Sequence, residues 1–229
     1  MSSYQDNQKK VVDELEKQIQ GSTLTFSTVT PVADYTNDPR ICLTSVHFPR
    51  ASLIDQIQQQ IIEPLQNVES DHFYDPRDSF HITIKNIRVI NDPPQFTPET
   101  IEKAKQVFSE VIPKHKKFNV YYYRLFLFPY NLALVGMTDP EMDVLHLDLD
   151  KKLIQAGIPD DKKYMNKQYF FSNMTLVRFY NPLSDAYKRK IKELSGSLSF
   201  IPYTIDSVTL LSSTAVFTNR KVYETWQLK

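Results

Sequence analysis

Apolar residues recur along this chain with two alternating periods. Between residues 5 and 20, Val11, Leu15 and Ile19 stand four apart, a thin helical stripe that Gly21 ends. Residues 22–40 are polar apart from the β-prone patch TLTFSTV. A strand is predicted over ICLTSVHF (41–48), closed by Pro49, and a helix over 51–67 with Leu53, Ile57, Ile61 and Leu65 on one face. A polar loop, VESDHFYDPRD, leads into FHITIKNIRVI (80–90), a strand rich in β-branched residues. NDPPQ breaks it. Thr97-Pro98 then supplies an N-cap and a proline at the first helical position, and that helix runs to Pro113. FNVYYYRLFLF (118–128) is again a strand.

From residue 131 the order repeats. NLALVGM (131–137) is a strand, and Asp139-Pro140 repeats the cap-plus-proline signal. Met142, Leu145, Leu149 and Leu153 form a helical stripe that Gly157 can cap. KQYFFSNMTLVRF is a strand; Ser184 caps a helix closed by Gly196; PYTIDSVTLLSS and KVYETWQLK are final strands. Each half reads β-α-β-α-β. The chain is expected to be a single domain over 1–229: an N-terminal helix and connecting segment (1–40), a first lobe repeat (41–130) and a second lobe repeat (131–229).

Composition narrows the functional classes. The 229 residues carry 27 Lys+Arg and 27 Asp+Glu, so no global charge argues for wrapping nucleic acid or lying on an anionic membrane. Four isolated glycines give no Gly-rich phosphate loop, which disfavours P-loop and dinucleotide-binding readings. The single cysteine, Cys42, has no internal disulfide partner, and the N-terminal residues MSSYQDNQKK have no apolar stretch. A cytoplasmic monomer without membrane contact is the expectation.

The middle strands of the two halves carry one short phrase twice: His81-Ile82-Thr83 and Asn173-Met174-Thr175. Side chains alternate along a strand, so His81, Thr83 and Lys85 share one face, and Asn173 and Thr175 share another. Two such strands side by side would gather hydroxyls that donate to phosphoryl oxygens around a proton-transferring imidazole. HITI (81–84), and NMTL (173–176) except for its first residue, resemble the paired His-x-Thr/Ser-x motifs of the 2H phosphoesterase superfamily, which includes 2′-5′ RNA ligase-like proteins and RNA 2′,3′-cyclic phosphodiesterases. Lys85, Arg178 and Tyr223 stand where that family carries further ligand-contacting residues, and the resemblance covers roughly 40–228.

The resemblance implies an α+β fold of two pseudo-twofold lobes. Each is a largely antiparallel sheet with helices outside, and a groove runs between them. It implies His81, Thr83, Asn173 and Thr175 as the reacting set, and Lys85, Arg178 and Tyr223 as substrate-binding residues. The implied partner is an RNA end or nucleotide carrying a phosphodiester or cyclic phosphate, with no cofactor and no metal. Family members use two histidines, one as base and one as acid. An asparagine amide exchanges no proton near neutral pH, so slow hydrolysis by His81 alone and binding without turnover both stay open.

Other polar residues read as structural. On the helix set by Leu145, Leu149 and Leu153, His146 and Asp150 meet while Asp148 points away, which argues against a metal site in HLDLD. His47 either lines the groove or packs under it, His72 and His115 are expected in solvent, and the Tyr121–Tyr123, Phe126 and Phe128 aromatics suit a core better than a base-stacking platform.

Overall fold

The computed structural model describes residues 2–26, 28–164 and 166–229. Among the described residues, nine strands form two antiparallel sheets. The first has the order β3-β1-β8-β9 and the second β2-β6-β5-β4-β7. The strands are β1 (Ile41–His47), β2 (Phe73–Tyr74), β3 (Ile82–Asn91), β4 (Phe118–Leu127), β5 (Asn131–Thr138), β6 (Ser172–Arg178), β7 (Tyr203–Ile205), β8 (Ser207–Ser213) and β9 (Arg220–Gln227).

The halves exchange strands. β4, last of the first half, pairs with β5 in the second sheet, and β8 of the second half pairs with β1 in the first. The orders β3-β1-β8 and β6-β5-β4 are therefore the same pattern, each completed by the other half's closing strand. Each sheet thus contains strands from both sides of residue 130.

The helices are α1 (Ser3–Gln20), α2 (Ala51–Ile57), α3 (Glu63–Gln66), α4 (Pro98–Val111), α5 (Glu141–Gln155) and α6 (Asp185–Ser197), with a π-helical turn at Gln58–Ile62 joining α2 to α3. The starts follow capping chemistry. Thr97 and Thr100 form a reciprocal capping box, and the Ser184 hydroxyl accepts from the Tyr187 N–H. Gly157 adopts φ +74°, and the Ile158 N–H reaches back to the Leu153 carbonyl to end α5. Asp139 differs from expectation. Its carboxylate accepts from the Asn119 N–H and the Tyr121 hydroxyl instead of capping α5, whose Pro140 start has no side-chain cap. The predicted strand 202–213 also divides, because Asp206 turns the chain from β7 in the second sheet to β8 in the first.

One core joins the sheets. Leu43, Ile82 and Ile84 from the first sheet belong to the same buried cluster as Leu132, Leu134, Met174 and Leu176 from the second. A smaller cluster seats Val12 and Leu15 of α1 on Phe126 and Val135. Val135 pairs directly with Asn173, so these two side chains share a face and α1 lies on the groove side of the second sheet. Gln8 locks it there by hydrogen bonds to Thr138 and the Phe170 carbonyl.

Candidate functional site

β3 and β6 lie against one another between the sheets. A groove of about 530 Å³ opens there, lined by His81, Thr83, Asn173, Thr175 and Arg178 among others. That volume suits a nucleotide-sized ligand.

Both middle strands carry a β-bulge at the same place. Ser45 pairs with Lys85 while Val46 pairs with Thr83, leaving Ile84 extra. Leu132 pairs with Val177 while Ala133 pairs with Thr175, leaving Leu176 extra. An extra residue reverses the alternation beyond it. The side chain two past each threonine turns away from the groove, and the one three past turns in. Asn86 and Arg178 therefore line the groove at equivalent positions.

The bulge sends Lys85 elsewhere, against the expectation of a groove-facing cation. It is 1% exposed, and its ammonium meets Asp150 at 2.9 Å, Asp160, and His146 Nε2 at 3.2 Å. His146 and Asp150 do meet on one helical face, as expected, but around Lys85. Tyr223 also stays outside the groove, its hydroxyl 2.9 Å from that of Ser212. His47 is buried between the Ser207 carbonyl and the Tyr203 hydroxyl. His72 and His115, expected in solvent, are both buried. The loop residues before each had read as polar, but aromatic rings and carboxylates distant in sequence close over them.

His81 is held in one orientation. Its Nδ1 lies 2.7 Å from the Ser79 carbonyl, so Nδ1–H donates there and Nε2 is the lone-pair nitrogen. The ring stacks on Phe217 at 3.6 Å and 17°. Phe217 has φ 58°, a left-handed conformation that is costly for an aromatic residue. Burial, helped by the positive charges of Arg178 and Arg220 and opposed by the Ser79 contact, pushes the imidazole down to about 4. His81 is neutral at pH 7, an acceptor at Nε2.

Arg178 reaches the groove from the end of β6. Asp75 grips it through Nε (3.0 Å) and Nη2 (3.3 Å), and Nη2 also donates to the Ala215 carbonyl. Among the described residues nothing takes the Nη1 donors. Thr83, Asn173 and Thr175 likewise make no side-chain hydrogen bond to another described residue. Three neutral polar groups and one half-committed guanidinium thus face the space in front of His81. Sequence reasoning missed Asn86, Phe217, Ser79 and Asp75. Only Asn86 carried a signal, standing five residues after His81 as Arg178 stands after Asn173.

No family model matches the sequence, and no curated protein matches it. Solved structures do. E. coli LigT complexed with ATP superposes with a TM-score of 0.55 at 15% identity, covering 83% of this chain and 99% of LigT. TT0787 of Thermus thermophilus superposes at 0.54 and 11% identity, covering 82% and 97%. ATU0111 of Agrobacterium tumefaciens superposes at 0.54 and 13% identity, covering 90% and 96%. Other LigT structures that match hold NADP+ and 3′-AMP. Likeness at such low identity speaks for architecture alone, and the architecture is clear: this chain has the 2H phosphoesterase fold.

Proposed function

We propose that this protein is a 2H phosphoesterase-like protein whose groove binds a phosphodiester at an RNA end or in a nucleotide, with 2′,3′-cyclic phosphates and 2′-5′ linkages as the substrate class. The observation that carries the reading is His81: Nδ1 is committed to a carbonyl and Nε2 is left as an acceptor in the groove that Thr83, Thr175 and Arg178 line. The nucleotides held by LigT support a ligand of this kind.

The chemistry follows from the donors. Thr83 and Thr175 hydroxyls and Arg178 Nη1 donate to the non-bridging oxygens. His81 Nε2 takes the proton of an attacking water as the new P–O bond forms and the ring P–O bond breaks. The leaving oxygen needs a proton, which the Asn173 amide cannot supply, so it comes from solvent. A missing general acid costs on the order of 10²–10⁴ in rate. No cofactor and no metal enters this scheme. A cytoplasmic monomer fits it, Cys42 being buried and unpaired.

The test is hydrolysis of nucleoside 2′,3′-cyclic phosphates and 2′-5′-linked dinucleotides without added metal, on wild type and His81→Ala. Slow turnover that disappears with His81 is the expected result. A second reading, a binding module without turnover, is favoured by Asn173 itself. It predicts 3′-AMP binding with no hydrolysis in either protein. A wild type that neither binds 3′-AMP nor turns over would end both.

A further inference from the structure

Away from the groove, the turn between α3 and β2 brings Glu69, Asp71 and His72 together, one ligand atom of each within 4.8 Å of the others. Carboxylates clustered on a surface say little. The imidazole says more. His72 is 5% exposed, and neither of its ring nitrogens has a hydrogen-bond partner among the described residues. Nε2 lies 3.2 Å from Glu69 Oε1, beside the cluster but out of line for a hydrogen bond. Phe179 and Tyr187 pack edge-on against the ring and fix it there. A buried polar group left unsatisfied is costly to a fold. His115 offers the contrast: its two nitrogens meet Glu141 and Asp148 at 2.9 and 3.3 Å.

The carboxylates are oriented from behind. The Ser184 hydroxyl donates to Glu69 Oε2 at 2.7 Å, and Asn181 Nδ2 donates to Asp71 Oδ2 at 3.4 Å. Each keeps its other oxygen for the cluster. Outer hydrogen bonds of this kind fix the ligating carboxylates of metal centres. One imidazole and two carboxylates suit a divalent ion such as Zn²⁺ or Mn²⁺, and the exposure of Asp71 leaves access and room for water ligands.

We infer that Glu69, Asp71 and His72 form a binding site for a divalent transition-metal cation. The ion clamps the α3–β2 turn to the β6–α6 connection that supplies Asn181 and Ser184. The same turn runs into Asp75, which holds Arg178. The inference stands whatever the groove binds. An ion pair between protonated His72 and Glu69 is the competing account; it leaves Nδ1 unpartnered and gives no metal affinity.

The experiment is calorimetric titration of chelator-stripped, full-length protein with Zn²⁺ and, separately, Mn²⁺. One site per chain for either ion is expected, with a melting midpoint that rises with metal. Asp71→Asn, an exposed change that leaves the fold intact, weakens binding at least tenfold, and His72→Gln abolishes it. Asp148→Asn, beside His115, keeps wild-type affinity. The inference fails if neither ion binds, if affinity is unchanged in Asp71→Asn, or if Asp148→Asn loses it equally.

Discussion

Asn173 occupies the place in β6 that His81 occupies just before β3. It borders the groove with Thr175, unbonded to any other described side chain. Asn173→His should therefore raise phosphodiester hydrolysis, by on the order of 10²–10⁴ if the new imidazole serves as acid. Equal inertness of mutant and wild type, both binding 3′-AMP, would sink the one-histidine account. Phe217 holds a strained backbone against the His81 ring. Phe217→Ala admits water to that face and should move the His81 titration from about 4 towards the ordinary value near 6.5. An NMR titration of the imidazole that does not move would show that the stack is not what buries it. Lys85 gives the opposite kind of test. Its removal strands Asp160 in the interior, so Lys85→Met should destabilise the fold by about 3–5 kcal/mol in urea melts. Its 3′-AMP affinity, measured well below the melting midpoint, should stay near wild type. An affinity loss without a stability loss would return Lys85 to the groove.

At the level of elements, the two bulges decide which residues work together, and they mark how far the sequence could be read. Alternation placed His81 with Thr83 and Asn173 with Thr175 because each pair precedes its bulge. It failed for Lys85 and left Arg178 facing the wrong way, because a bulge is set by how a strand counts against its neighbours. Ile84 and Leu176 look like ordinary strand residues until β1 and β5 are laid beside them. Helix starts at Thr97 and Ser184 were legible because a cap is local chemistry. The division of 202–213 was not, because Asp206 turns there between two sheets. Gly136 is a further element-level constraint. A Cβ there would stand 2.5 Å from Val120 Cγ1 and 3.0 Å from Tyr122 Cδ1, both buried in the neighbouring β4. Gly136→Ala should cost about 1–3 kcal/mol by overpacking. A denaturation midpoint equal to wild type would mean that β4 yields more easily than its burial implies.

Over the whole molecule, the exchange of closing strands makes each sheet depend on both halves of the chain, so neither wall of the groove is the product of one repeat. Histidines from distant segments are also sheltered from solvent. His81 is pushed down to about 4 and His146 to about 3, with burial the leading cause in each, and burial lowers His47 too. A histidine whose folded value lies below its unfolded value binds fewer protons in the native state. Its favourable contribution is present above about pH 6.5 and is lost as pH falls towards the folded value. Carboxylates such as Asp38 and Asp206, held low in the native state, act only nearer their unfolded value of about 4. Asp75 and Asp143, pushed up by burial, oppose the histidines above that value, so the imidazole share is read as a difference between proteins. The histidine contribution should drop from pH 7 to pH 5, each excluded proton contributing a slope that approaches about 1.4 kcal/mol per pH unit. Urea midpoints at pH 7, 6 and 5 measure it in wild type and in His81→Gln, which removes one titrating group and should flatten the dependence. The same pH dependence in wild type and His81→Gln would mean that this imidazole reaches solvent, and the neutral acceptor assigned to His81 would go with it.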